Sequence, residues 1–189
     1  VYTIYTPMLI EIFPQDYEIC KKASQNYWSS SKGGKYGKGV LNTKTDPCRT
    51  ERIGLLGEMA FANFMELPIQ FEYKKHGDKY DFLIRDRTID VKTASRNYGS
   101  VLIQYKNSFG NIVFRQKDIY VGAYLVEDTG KTASIELVGY TLGKIVKKLT
   151  PVKSKVGKWL NFDVPLDALK DLRELKKFYK NQIDWHDLY

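Results

Sequence analysis

Histidine and cysteine are scarce in this chain, two of each in 189 residues, and the scarcity removes several chemistries at once. Cys20 and Cys48 lack the CxxC spacing of a zinc or redox site. His76 and His186 lie far apart in sequence, the first reading as a turn residue before Gly77-Asp78 and the second as part of the C-terminal tail. A zinc site and a centre built on clustered histidines are both argued against. No apolar run is long enough to span a membrane, and the opening residues, which start at Val1, show no signal-peptide pattern. A cytoplasmic location without membrane contact is the expectation. The Gly/Lys stretch around Lys38 is no Walker A loop, because its spacing is short and neither Ser nor Thr follows the lysine. No nucleotide cofactor is expected.

Acidic residues are also outnumbered. Thirty Lys and Arg against 22 Asp and Glu give a net charge of +8 and a pI near 9.3, which favours a polyanionic partner. The excess is uneven. Trp28 to Thr45 contains Lys32, Lys35, Lys38 and Lys44 among four glycines, without one acid. Leu142 to Phe162 contains Lys144, Lys147, Lys148, Lys153, Lys155 and Lys158, again without an acid. Both stretches suit backbone phosphates, with Tyr36 and Trp159 available for stacking. A mobile solvated loop and a soluble helix face are the plainer readings of the same residues.

What is present in strength is one-sided alternation over residues 80 to 93. Phe82, Ile84, Ile89 and Val91 alternate with Asp81, Leu83, Arg85, Thr88, Asp90 and Lys92, the period-two pattern of a half-buried β-hairpin. A turn at Asp86-Arg87 would pair position 81 with 92 and 83 with 90, placing Asp81, Asp90 and Lys92 on one face. Two carboxylates and an ammonium converging on a sheet suit a hard divalent cation and an activated water. An ordinary cross-strand ion pair would use the same residues. Residues 53 to 65 add a helix-length apolar segment whose single charge is Glu58. A lone carboxylate there needs a metal-bound water, a basic neighbour or a backbone partner.

The remaining pattern predicts an α/β domain with a mixed central sheet flanked by helices. A first helix is expected from Asp16 to about Ser30, with Ile19, Ala23 and Tyr27 on one face. Strands are expected at 69–73, 101–105, 119–126 and 134–140, with Asp128 to Lys131 as a hairpin turn. Thr141 is expected to cap a short helix running to Leu149, and an amphipathic helix to span Pro165 to about Tyr179. There is no internal repeat or long linker, and 43% hydrophobic residues suffice for one core. One domain over 1–189 is expected, with an N-terminal helix and basic loop to residue 50, a core over 51–141 and C-terminal helices beyond.

Glu58 on a helix, Asp81 on a strand and Asp90-Val91-Lys92 on the next resemble the PD-(D/E)XK nucleases, which have the restriction-endonuclease-like fold. The strings Gly54-Leu-Leu-Gly57-Glu58, His76-Gly-Asp-Lys-Tyr-Asp81 and Ile89-Asp-Val-Lys-Thr93 look most like small phage or resolvase-type members. The likeness covers about residues 51 to 94, and Tyr80 stands where the family name has Pro. Gln116 to Tyr120 spells Gln-x-x-x-Tyr, similar to a helical motif of helicase-linked nucleases, but here Tyr120 is expected to open a strand.

The resemblance implies that Asp81, Asp90 and the Val91 carbonyl hold Mg²⁺, with Mn²⁺ able to substitute. Glu58 would act through a metal-bound water or a second cation, and Lys92 would orient and polarise the attacking water. It implies a metal-dependent deoxyribonuclease, an endonuclease sooner than an exonuclease, since no helicase accompanies the chain. A resolvase or a restriction, homing or host-DNA nuclease would look the same. A non-catalytic DNA-binding protein with this fold is the alternative from another class, and retention of Asp81, Asp90 and Lys92 favours the enzyme. One site makes one nick, so double-strand cutting would need a homodimer, for which 165–189 with Trp185 and Tyr189 offers a contact region.

Overall fold

The computed structural model describes residues 6–30, 44–71, 80–154 and 158–189. A mixed sheet of five strands, in the order β1-β6-β5-β3-β2, is covered by helices on one face and by a three-stranded sheet, β4-β8-β7, on the other. The strands of the large sheet are β1 (Met8–Ile12), β2 (Phe82–Ile84), β3 (Arg87–Ala94), β5 (Ile119–Asp128) and β6 (Ala133–Leu142). The small sheet holds β4 (Ser100–Lys106), β7 (Val152–Lys153) and β8 (Leu160–Pro165). The helices are α1 (Pro14–Ser30), α2 (Arg49–Met65), the single turn α3 (Gly143–Val146) and α4 (Leu172–Tyr179). No helix among the described residues is long and apolar enough to cross a membrane.

The large sheet separates two apolar cores. On one side Ile53, Leu56, Met59, Phe61 and Met65 of α2 pack against Ile89 and Val91 of β3 and Val121 and Ala123 of β5. On the other, Tyr120 and Tyr124 of β5 pack against Val101 and Ile103 of β4 and Phe162 of β8. β5 is thus covered on both faces, which is why it reads as an almost unbroken apolar run rather than an alternation. Gly122 lets the two sheets meet. A Cβ there would stand 2.3 Å from Val101 Cγ2 and 2.7 Å from Val138 Cγ2.

The hairpin forms with the expected faces, Phe82, Ile84, Ile89 and Val91 all being buried. Its register differs from the expected one by two residues. Phe82 pairs with Ile89 and Ile84 with Arg87, so the turn is Arg85-Asp86 rather than Asp86-Arg87. Both turn residues have positive φ, 45° and 65°, as a two-residue hairpin turn of the primed kind requires. Arg85 is held there by its guanidinium, which donates to the Phe178 carbonyl at 2.9 Å and lies over the Phe178 ring. A two-residue shift preserves side-chain parity, so Asp81, Asp90 and Lys92 keep a common face.

The strands at 101–105, 119–126 and 134–140 form with modest extensions, and Asp128 to Lys131 makes the turn between β5 and β6. Residues 69–71 form no strand, and 72 and 73 lie outside the described residues. In α1, Ala23 is buried as expected, but Ile19 is 43% exposed and Tyr17 and Cys20 complete the inner face. Thr141 caps no helix, because it belongs to β6 and pairs with Tyr120; the helix that follows is one turn. The expected helix over 165–179 is interrupted. Lys170 bridges Tyr140 through two backbone hydrogen bonds of 2.8 and 3.0 Å, holding the chain off a helical path until Asp171 caps α4 by accepting from the Arg173 amide.

Candidate active site

β3 is an interior strand, antiparallel to β2 on one side and parallel to β5 on the other. Its odd residues Ile89 and Val91 enter the helical core, so its even residues Asp90 and Lys92 point to the opposite face. Asp81 immediately precedes β2. Its amide donates to the Ile89 carbonyl at 2.9 Å, and its Oδ2 accepts from the Val91 amide at 2.7 Å. The carboxyl is thereby fastened to β3 just beyond the last β2 pair. Lys92 Nζ lies 2.6 Å from Asp90 Oδ2. Strand alternation directs the Val91 carbonyl to the same edge as its amide.

The Asp81 carboxyl is pushed up from its ordinary value to about 7. Burial is the main cause, followed by the negative charge of Asp90, and a hydrogen bond with the Asp90 carboxyl adds to it. The Val91 amide and the Lys92 ammonium pull the other way. Two carboxyls held this close without a strong cation between them keep a proton. That is the behaviour of a donor pair whose charge a dication would offset. Mg²⁺ is commonly held by only one or two protein carboxylates, with water and substrate oxygens completing its shell. Asp81, Asp90 and the Val91 carbonyl therefore fit such an ion in number and chemistry.

Glu58 stands apart from this group. Its helix packs on the Thr93 face of β3, where a Cβ on the neighbouring Gly57 would come within 1.8 Å of Thr93 Oγ1. The Glu58 charge contributes to raising the Cys20 thiol of α1, which burial and neighbouring acids push up to about 12. Among the described residues no three His, Cys, Asp or Glu side chains gather as a metal-binding group. Of the four residues singled out by sequence, three come together and the helical carboxylate does not join them.

Asp90 and Lys92 form part of an open cleft of about 220 Å³ between the two sheets. Ile103 and Gln104 of β4 line it with Tyr120 and the segment from Val113 to Lys117. That segment is tied down on both sides. The Val113 and Phe114 amides donate to the Tyr105 carbonyl at 2.9 and 3.2 Å. The Tyr120 hydroxyl donates to the Arg115 carbonyl at 3.1 Å and accepts from the Lys117 amide at 3.2 Å. Phe114 stacks on Tyr120 and meets Phe162 edge-on. The lining carries three cationic residues, Lys92, Arg115 and Lys117, against Asp90 alone.

Gln104, Arg115 and Lys117 were not among the candidates read from sequence. A signal existed: Val91 to Lys117 contains five basic residues and no acid, as strong a bias as the two stretches singled out. Of those, Lys32, Lys35 and Lys38 lie outside the described residues, as do Tyr36 and His76. Lys144, Lys147 and Lys148 are exposed on and after α3, outside the cleft lining but next to it, since the Gly143 amide donates to the Asp118 carbonyl at 2.8 Å. Lys144 lies over the Tyr189 ring at 2.9 Å. Tyr120 lies in β5, so the Gln116–Tyr120 pair is not helical. Trp185 packs on Phe178 and under Arg87, which commits part of the C-terminal tail to the fold itself.

Comparison with protein-family models, curated proteins and solved structures found no match.

Proposed function

We propose that the protein is a divalent-metal-dependent nuclease that hydrolyses phosphodiester bonds in DNA, with a restriction-endonuclease-like catalytic core. The observation that carries this reading is the juxtaposition of Asp81, Asp90 and Lys92 beside a cleft whose other charged residues are Arg115 and Lys117. Asp81, Asp90 and the Val91 carbonyl would hold Mg²⁺ or Mn²⁺. When bound, the ion supplies Lewis-acid polarisation of a phosphoryl oxygen.

The chain's own groups supply the rest. Lys92 donates hydrogen bonds to the attacking water and offsets charge that builds on the phosphate during in-line displacement. Water adds its oxygen to phosphorus while the bond to the leaving sugar oxygen breaks, and that oxygen takes a proton. Arg115 and Lys117 hold neighbouring phosphates, with Lys144, Lys147 and Lys148 extending the path past α3. Glu58 acts from behind β3, as a positioning group for the helix packing rather than as a third ligand.

A non-catalytic DNA-binding protein is the second reading. It is favoured by the 2.6 Å Lys92–Asp90 ion pair, which satisfies both groups without a cation. Incubation of supercoiled plasmid and of a four-way junction with Mg²⁺, Mn²⁺ or EDTA, using wild type, Asp90→Ala and Lys92→Ala, separates the two. Metal-dependent cutting lost in both variants supports the enzyme. DNA binding without cutting of either substrate supports the binding protein.

A further inference from the structure

Phe109 is 86% exposed, the most exposed of the large apolar side chains among the described residues. It sits at the tip of the turn that leads from β4 into the cleft wall, and hydrogen bonds fix that turn. Asn107 Oδ1 accepts from the amides of Phe109 and Asn111, both at 3.0 Å. The Asn107 amide donates to the Asn111 carbonyl and the Gly110 amide to the Asn107 carbonyl, again at 3.0 Å. Gly110 supplies the left-handed φ of 83° that closes the loop. Lys106 and Ile112 bridge below it. A folded turn that holds an aromatic ring out in water gains nothing for its own core from that ring.

The surroundings specify what the ring would meet. Ile112 and Val113, 63% and 40% exposed, continue an apolar strip from Phe109 towards the cleft. The strip is set in the segment from Val91 to Lys117, where Lys92, Arg96, Lys106, Arg115 and Lys117 meet no acid. An apolar partner protein would gain little from so much uncompensated positive charge. A polyanion whose units carry flat π-faces matches both features, and aromatic side chains beside basic grooves are the usual platform for unpaired bases. Four residues separate Phe109 from Val113, a reach of at most about 14 Å. At roughly 3.4 Å per nucleotide along a strand, that is about four base steps.

We propose that Phe109 stacks on an unpaired or displaced base within about four nucleotides of the phosphate held in the cleft. The preferred substrate is then DNA with a bulge, flap or junction rather than uninterrupted duplex. The inference rests on the nuclease reading for the position of the cleft phosphate, but the base contact has a readout that needs no catalysis.

A duplex carrying a single bulged 2-aminopurine is titrated in EDTA with wild type, Phe109→Ala and Phe109→Tyr, beside a fully paired control. Wild type and Phe109→Tyr are expected to quench the bulged base. Phe109→Ala is expected to lose the quench and about tenfold of the affinity for the bulged duplex, with paired-duplex affinity unchanged. Equal binding of both duplexes by Phe109→Ala and wild type, with equal quench, overturns the proposal. Cleavage of the same duplexes in Mg²⁺ distinguishes the two failures. Quench without cutting keeps the base contact and removes the nuclease. Cutting that is indifferent to Phe109→Ala, with the quench intact, keeps the nuclease and removes the base contact.

Discussion

Asp81 Oδ2 accepts a 2.7 Å hydrogen bond from the Val91 amide, so the first carboxyl of the site is fastened to the strand that carries the second. Fixed there beside Asp90, Asp81 is protonated up to about pH 7, against an ordinary value of 3.8. The sign of the consequence follows. Between these values the folded chain binds a proton that the unfolded chain has released, so the stability Asp81 contributes is present below 3.8 and is lost as pH rises through 7. Removing that proton is also the cost of placing a cation at this carboxylate. Mn²⁺ affinity measured by calorimetry should therefore climb with pH up to about 7 and level off above it. Buffers of different ionisation enthalpy should show proton release near pH 6, and Asp81→Asn should abolish both the climb and the release.

Lys92 reaches Asp90 at 2.6 Å and keeps its other two hydrogen-bond donors for whatever enters the cleft. Lys92→Ala should lower cleavage by at least about 100-fold, the usual scale for removing a group that assists proton movement. Mn²⁺ binding should hold or improve, because Asp90 loses a competing cation. Lys92→Arg should fail to restore the rate, since a planar guanidinium does not reproduce the compact ammonium. Single-turnover rates beside metal titrations check this. A variant that loses metal and rate together would make Lys92 structural.

The faces of the site were legible in sequence and the register was not. Parity alone decides whether Asp81, Asp90 and Lys92 share a face, and any even shift satisfies it. The observed turn depends on Arg85 reaching Phe178, 93 residues away, which no local pattern encodes. The same limit explains β1, unread because its partner β6 lies more than 120 residues further along. It also explains the broken C-terminal helix, where the bridge from Lys170 to Tyr140 overrides a run of helix formers. β5 and β6 were legible because their hairpin is local and continuously apolar. The cleft was not, because its far wall is brought close by Gly122, whose missing side chain admits Val101 and Val138.

Gly57 offers a test of how α2 is seated. A Cβ on Gly57 would stand 1.8 Å from Thr93 Oγ1 and 2.9 Å from Thr93 Cβ. Gly57→Ala should therefore cost about 1–3 kcal/mol despite the better helix propensity of alanine. Thr93→Ala removes the closer contact and deletes a buried hydroxyl that has no hydrogen-bond partner. The double variant should recover part of the loss and no more, because the 2.9 Å contact remains. Urea denaturation of the four proteins gives the coupling directly, and simple additivity would mean that α2 is seated elsewhere.

Arg115 and Lys117 enter the cleft from a segment pinned by Tyr120, so their charges are fixed in place rather than on a loose loop. If they contact phosphates, each contact releases counterions, and binding falls with salt by about 0.9 in the logarithm per contact. Arg115→Ala/Lys117→Ala should reduce the slope of log affinity against log salt by roughly two, without changing which DNA is preferred. The same double change in the α3 group, Lys147→Ala/Lys148→Ala, provides the comparison. A full reduction in the cleft pair with a smaller one in the α3 pair would run the DNA through the cleft. The reverse order would move its path across α3, away from Asp90 and Lys92, and would remove the positional argument for catalysis.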